Sequence, residues 1–476
     1  MSNTKSSSHP TGSVLFLAAL AMVLLPVVTA VGCGDNHTTP AMPDAPQDMD
    51  APIDAPAGKP PTLEVTRSSS LGTFNGIEYT EHECRFAGTT ADGIAYDMNC
   101  WLIAPAKVAD TTGLVLLDLF NTVNLAYIGE ARVAFARLGR DFLLNNGFMY
   151  AGIRWDRTAI DHPKRQSPGR PADVLTPASA RRTVGYDILI AFARALRDDP
   201  TAVQHMGTVK HLISYGYSQS AAIQRMLFLD QPALFDGALV GGAGARGLRM
   251  ESLIDADRTE FFIDRREPPA DKGKVIQLDG EGDALVIESL DVRSGPRDVY
   301  RKYEIAGASH LKRAVCQAVG FPAADTANPL DWDPVSRALL LALRDWVIDG
   351  TEPPEERLLD NIGSLLRRDS NGNALGGIRL PEVAAGRGQY IGYDLDYPLG
   401  TGCDLAMPAR CPDEFRQVCG TFVDRLCTNY PDLDDYVNAI TGAADELVSE
   451  RFLLAADRDK IVADAARLRD DPNTCP

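Results

Sequence analysis

Ser218 lies in the stretch Leu212-Ile213-Ser214-Tyr215-Gly216-Tyr217-Ser218-Gln219-Ser220-Ala221-Ala222-Ile223. An apolar, β-prone run stops at Gly-Tyr-Ser-Gln-Ser, and apolar residues at helical spacing (Ile223, Met226, Leu227, Leu229) begin at once. A serine at such a junction is the sequence form of a nucleophile elbow, a sharp strand-to-helix turn that lifts a hydroxyl above the sheet edge. Small neighbours are required because the backbone is strained and strand and helix pass close together. Ser220 stands where the G-x-S-x-G pattern ends in glycine. The plain alternative is an ordinary turn with a serine N-cap.

A serine attacks only when a base takes its proton, and the base keeps its geometry only when a third group orients it. One histidine lies well beyond Ser218: in Tyr303-Glu304-Ile305-Ala306-Gly307-Ala308-Ser309-His310 a short strand runs into a small-residue loop carrying His310. Between them, Lys274-Val275-Ile276-Gln277-Leu278-Asp279-Gly280-Glu281-Gly282-Asp283-Ala284-Leu285 delivers three carboxylates into a glycine-rich turn. Asp283 is placed first as the orienting acid, Glu281 second and Asp279 third; the sequence does not separate the first two. An oxyanion would be held by backbone N–H groups of Gln219, at the helix start, and of Asn121 or Thr122, in the loop after the buried strand Gly113 to Phe120.

Around these positions, strand-like and helix-like runs alternate from about Thr62 onward, which predicts an α/β sheet. Strands are expected at Met98 to Ala104, Gly113 to Phe120, Met149 to Trp155, Val209 to Tyr215, Gly237 to Gly241, Lys274 to Leu278 and Val299 to Ile305. Helices are expected at Ala131 to Leu144, Arg181 to Arg197, Ser220 to Leu229 and Pro334 to Asp349. The Pro- and Arg-rich stretch between Arg154 and Arg181 is either a cap over the site or a surface loop. Asp369-Ser370-Asn371-Gly372-Asn373 opens like a calcium loop, but Ala374 and Leu380 stand where that loop needs glycine and glutamate, so a turn is expected.

The 476 residues allow one large domain or two to three ordinary ones, and the 45% hydrophobic share suffices for a sizeable core. A net charge of −18 argues against a nucleic-acid partner. Residues 1–32 have the form of a targeting segment: Lys5, an apolar run from Val14 to Val31, then Gly32-Cys33. This resembles a bacterial lipoprotein signal with Cys33 as the lipidated residue; an uncleaved membrane anchor is the alternative. Residues 33–61 repeat Asp-Ala-Pro and form an acidic tether unable to bury a core. Membrane contact is expected only through the N-terminal anchor.

Nine cysteines less Cys33 leave an even number, which suits disulfides in an oxidising compartment. Cys84 and Cys100, in neighbouring strand-like runs, would staple a hairpin. Cys403, Cys411, Cys419 and Cys427 lack the close pairs typical of zinc, and no metal is expected. On a shared helix Cys419 and Cys427 would be about 12 Å apart, beyond the ~7 Å Cα limit for a disulfide, so they are expected to pair elsewhere.

Taken together, Gly216-Tyr217-Ser218-Gln219-Ser220, Phe235-Asp236-Gly237-Ala238, Ala306-Gly307-Ala308-Ser309-His310, Trp346-Val347-Ile348-Asp349-Gly350-Thr351-Glu352-Pro353-Pro354 and Gly376-Gly377-Ile378-Arg379-Leu380-Pro381 resemble the serine α/β-hydrolases. More narrowly, the chain is similar to an exported bacterial alpha/beta hydrolase domain family with a G-x-S-Q-S-G elbow. The resemblance runs from about Pro61 almost to the C-terminus. It departs at Ala221, a glycine in the family, and at Asn121-Thr122-Val123, often Asn-Arg-Gly there. It implies an α/β-hydrolase fold over residues 62–476, a mostly parallel central sheet flanked by helices with a cysteine-containing extension from about residue 380. It also implies a serine hydrolase with Ser218 as nucleophile, His310 as base, and Asp283 or Glu281 as acid. The expectation is an envelope-tethered carboxylic ester hydrolase acting on a small-molecule or polymer ester through an acyl-enzyme, with no cofactor. An amidase or peptidase, an acyltransferase, and a non-catalytic binding module on the same fold are the alternatives.

Overall fold

The computed structural model describes residues 60–121, 132–155, 172–176, 184–231, 233–244, 246–248, 261–263, 273–286, 295–318, 327–363, 365–393, 419–472 and 474–475. The targeting segment, all but the last two residues of the tether, Thr122, Cys403, Cys411 and most of the stretch between Arg154 and Arg181 lie outside them.

A ten-stranded sheet carries the molecule. Its first three strands, β1 (Thr62–Phe74), β2 (Ile77–Thr89) and β3 (Ala95–Pro105), pair antiparallel in order. Asn75 and Gly76 join β1 to β2 with φ of 47° and 79°, the left-handed pair that closes a two-residue hairpin. Next in the chain come β4 (Leu114–Leu119), β5 (Met149–Ile153), β6 (Val174–Thr176), β7 (His211–Tyr217) and β8 (Gly237–Gly241). A separate two-stranded ribbon of β9 (Arg246–Leu248) and β10 (Phe261–Ile263) precedes β11 (Lys274–Gly280) and β12 (Tyr300–Ile305). The spatial order is β1-β2-β3-β5-β4-β7-β8-β11-β12, with β6 on the side of β3. From β5 to β12 along this path every pairing is parallel.

Parallel strands covered on both faces need apolar residues at every position. β4 obeys this at every position but one: Val115, Leu117 and Leu119 enter one core and Leu114 and Leu116 the other, while the buried Asp118 accepts from Ala134 N–H and the Tyr150 hydroxyl, both at 3.0 Å. The connections supply helices: α1 (Val133–Arg137), α2 (Arg140–Asn145), α3 (Val184–Asp198), α4 (Pro200–Met206), α5 (Gln219–Asp230), α6 (Glu281–Val286), α7 (Arg313–Ala318) and α8 (Asp333–Asp349). Ile188, Leu189 and Phe192 of α3 share the first core with Ile223 and Leu227 of α5. Leu339, Leu343 and Trp346 of α8 fill the second with Ile213, Leu239 and Ile276.

Two expectations from periodicity are revised. The helix expected from Ala131 to Leu144 is two, because Gly139 takes φ 93° between α1 and α2, where a left-handed residue ends regular hydrogen bonding. The strand expected to stop at Tyr215 continues through Gly216 to Tyr217, since both pair with β8.

Beyond α8 the chain returns to the sheet as a series of short pieces. They are β13 (Asn361–Ile362), β14 (Leu365–Leu366), α9 (Pro381–Ala384), β15 (Gly388–Ile391), β16 (Thr421–Asp424) and α10 (Leu426–Asn429). A hairpin of α11 (Leu433–Ser449) and α12 (Ala455–Asp470) follows. Asp369 accepts N–H bonds from Asn371 (2.9 Å) and Asn373 (3.0 Å) and pairs with Arg379 at 2.5 Å, a turn as expected.

Disulfides join Cys84 to Cys100, Cys316 to Cys419, and Cys427 to Cys475. The first links directly opposed residues of β2 and β3, and Cys419 and Cys427 each find a partner elsewhere. Such bonds persist in oxidising compartments, which points to an extracellular or periplasmic protein. Among the described residues no helix is long and apolar enough to cross a membrane.

Candidate active site

β7 ends at Tyr217 and α5 begins at Gln219, leaving Ser218 alone to make the turn with φ 58° and ψ −123°. A non-glycine residue there is strained, and the surroundings hold it. Ser218 N–H donates to the Gly241 carbonyl at 2.9 Å, and the Ser218 carbonyl accepts the first helical bond from Ala222 N–H at 3.0 Å. Gly216 has no room for a side chain: a Cβ would lie 2.7 Å from Gln224 Oε1 and 2.8 Å from the Ser220 carbonyl. Ser220, in the position usually given to glycine, earns its place by its hydroxyl. Its Oγ accepts from Tyr217 N–H and donates to the Tyr217 carbonyl, both at 3.0 Å, stapling the turn from inside.

The loop after β12 brings His310 to this turn. Its Nε2 lies 2.9 Å from Ser218 Oγ, and its Nδ1 lies 2.5 Å from Asp283 Oδ1. The second oxygen of Asp283 accepts Gly280 N–H at 2.8 Å, so the carboxylate is fixed at both ends. Asp283 is buried and His310 partly exposed.

The other two carboxylates of the acidic turn point elsewhere. Glu281, placed second as the orienting acid, is turned away from the imidazole: its carboxylate accepts from Gly307 N–H at 2.8 Å and from Arg368 Nη2 at 2.8 Å. On α6 it is two residues from Asp283, and such neighbours leave a helix in different directions. Asp279 accepts from Gly244 N–H at 3.0 Å and Gln277 Nε2 at 2.8 Å. Burial pushes its pKa up, while Lys302, 3.9 Å away, pulls it back.

Gln219 and Asn121 both reach the elbow. The Gln219 N–H opens α5, where no intrahelical acceptor exists, and Asn121 Nδ2 donates to the Tyr217 carbonyl at 3.3 Å. Thr122 lies outside the described residues.

Sequence reasoning missed the side chains that frame the histidine. The Tyr217 ring stacks on the imidazole, centroids 5.3 Å apart and planes 24° apart, and its hydroxyl donates to the His310 carbonyl. Arg137 of α1 lies 3.7 Å over the Tyr217 ring and 4.2 Å over Trp332, with Asp333 at 2.9 Å. Trp332 Nε1 donates to the Ser309 carbonyl at 3.2 Å. Burial raises the Tyr217 phenol well above its ordinary pKa, so it remains a donor. Only Tyr217 had a sequence signal, its place beside the nucleophile candidate; Arg137 and Trp332 come from distant segments.

A mostly parallel sheet with helices on both faces, a strained serine between strand and helix, and a histidine loop at the same sheet edge define the alpha/beta hydrolase class. Residues 73–463 match the family model described as "Alpha/beta hydrolase domain", and the chain belongs to that family. No curated protein matches it. Solved structures similar to part of the chain include the rice cell wall degrading esterase LipA from Xanthomonas oryzae, at 15% identity over 39% of this chain and 51% of that one, TM-score 0.24. Acetyl xylan esterase 1 from a Thermoanaerobacterium species is 10% identical over 51% and 81%, TM-score 0.29. The siderophore hydrolase EstB from Aspergillus nidulans is 14% identical over 49% and 91%, TM-score 0.27. In its alignment this chain spans about half the length of LipA, and likenesses this slight assign no activity.

Proposed function

We propose that the protein is a serine hydrolase that cleaves a carboxylic ester through an acyl-enzyme on Ser218. The observation that carries this reading is the continuous line from Ser218 Oγ to His310 Nε2 at 2.9 Å and from His310 Nδ1 to Asp283 at 2.5 Å. In the reaction His310 Nε2 takes the Ser218 proton as Oγ attacks the ester carbonyl, and Asp283 steadies the resulting imidazolium. The tetrahedral oxyanion sits against the N–H groups of Gln219 and of Asn121 or Thr122. As the C–O bond to the alcohol breaks, His310 protonates the departing oxygen. Water then repeats the sequence on the acyl group: it loses its proton to His310, adds to the carbonyl, and Ser218 leaves with that proton restored while the acid departs. The side chains assigned here complete this cycle without a metal or organic cofactor.

A fluorophosphonate probe on the purified protein tests the reading. Stoichiometric labelling at Ser218 that vanishes in Ser218→Ala and His310→Ala is expected, whereas an unlabelled intact protein would leave only a binding module on this fold. On a p-nitrophenyl ester, Asp283→Asn is expected to lower kcat by about 10⁴-fold, the cost of losing the group that sets the histidine tautomer. We further propose that the chain is tethered to the cell envelope through a lipid on Cys33, an assignment supported by the small residues before that cysteine and the acidic tether after it.

A further inference from the structure

The acidic turn meets the histidine loop at more than the His310–Asp283 contact. Gly282 N–H donates to the Ala308 carbonyl at 3.0 Å, and Gly307 N–H donates to Glu281 at 2.8 Å. With Asp283 on His310, three consecutive residues of the turn grip the loop along its length. The remaining loop carbonyls are held from other elements: Gly307 by Asn328 Nδ2, Ser309 by Trp332, and His310 by Tyr217. Gly307 takes φ 74°, and a Cβ there would come within 2.8 Å of Tyr390 Cβ, so the loop has no slack on that side.

Glu281 is the one charged member of this grip besides Asp283. Its side chain has no solvent exposure, a costly place for a carboxylate unless both oxygens are satisfied. Oε2 takes Gly307 N–H and Oε1 takes Arg368. Arg368 comes from beyond α8, and its other nitrogen donates to the Gly372 carbonyl at 3.1 Å within the Asp369 turn. That turn is bound to β15 through Asn373, which donates to the Gly388 carbonyl (2.9 Å) and accepts from Tyr390 N–H (2.7 Å). A chain of polar contacts therefore runs from the C-terminal segment through Arg368 and Glu281 into the loop that carries His310.

We infer that Glu281 is a positioning residue for the reaction: held by Arg368, its carboxylate fixes the Gly307–His310 loop and so keeps the imidazole between Ser218 and Asp283. The inference rests on the serine hydrolase reading and adds to it a dependence on the C-terminal segment. Loss of the anchor lets the loop drift, and a drift of about 1 Å at a reacting group costs on the order of 100-fold in rate.

The test uses the full-length protein, p-nitrophenyl butyrate and a fluorophosphonate, with Glu281→Gln, Arg368→Met and the double variant. Both single variants are expected to lower kcat by about 10- to 100-fold with KM within about 2-fold. Glu281→Gln should also move the acid limb of the kcat/KM profile to lower pH, because an imidazole held less firmly against Asp283 is harder to protonate. The double variant should be no slower than the worse single one, since Arg368 acts through Glu281. A purely structural role would lower the melting temperature and leave kcat, measured well below it, and the pH limb unchanged; that result overturns the inference. Should Glu281→Gln fail to fold, Arg368→Met decides: a loss of kcat at constant KM supports the inference and a wild-type kcat overturns it. Wild-type protein that does not label at Ser218 refutes the hydrolase reading itself, an outcome separate from normal labelling with an indifferent Glu281.

Discussion

Ser220 stands where this class of turn usually has glycine, and its hydroxyl satisfies both polar groups of Tyr217. A small side chain is tolerated there because it replaces hydrogen bonds that a glycine would leave to the backbone alone. A second residue-scale effect lies far from the site. His82 on β2 is buried, with its Nδ1 2.8 Å from Ser68 Oγ and its ring 4.4 Å from that of His205 on α4. Burial first, and the neighbouring His205 second, lower its pKa from 6.5 to about 4. A base whose folded pKa is depressed binds its proton more readily when unfolded. Its contribution to stability is therefore full above pH 6.5, declines as the pH falls toward 4, and is flat below. The slope is at most about 1.4 kcal/mol per pH unit. Urea midpoints measured at pH 7 and pH 4.5 should differ less in His82→Gln than in wild type; equal differences would show that this histidine stays neutral in neither state or in both.

At the scale of elements, the histidine loop is caught between the sheet and the returning C-terminal segment. Cys316 on α7 is bonded to Cys419, 103 residues later, and Asn328 N–H donates to the Cys419 carbonyl at 3.2 Å. Gly420 runs so close to Ser309 that a Cβ would meet the Ser309 Cβ at 3.1 Å. Closing so long a loop restricts the unfolded chain, and removing such a bond costs roughly 2–5 kcal/mol. Cys419→Ser, made together with Cys316→Ser to avoid a stray thiol, should lose that much stability in chemical denaturation. Because the same segment backs the loop of His310, kcat should fall as well. Unchanged stability would mean that packing alone holds the segment. Other elements were legible in the chain alone: β8 falls on the predicted Gly237 to Gly241, since glycine and apolar residues between turn signals leave little choice. The break between α1 and α2 was not, because a periodic pattern continues across Gly139 and only the backbone there reveals the stop.

For the molecule as a whole, disulfides and the N-terminal pattern bear on one question, where the chain works. Intact mass spectrometry of the mature protein from a bacterial host should find residue 33 as the first, carrying a diacylglyceryl group. An unmodified Cys33, or a retained leader, would remove the lipid anchor from the proposal. The three disulfides among the described residues fit either outcome, because both leave the folded part outside the cytosol.

Side-chain pattern along the chain was enough to place the alternation of strand and helix, the serine at the junction of β7 and α5, and the chain order of serine, acid and histidine. These are local matters, set by side-chain periodicity and by which residues a tight turn accepts. Tertiary structure decided which carboxylate faces the imidazole. Ser218 and His310 are 92 residues apart and Asp283 and His310 are 27 apart, so their meeting depends on parallel strands packing in one order. Asp283 and Glu281 differ by two positions on one helical turn, and only the direction in which that turn leaves β11 sends one carboxylate to His310 and the other to Gly307 and Arg368.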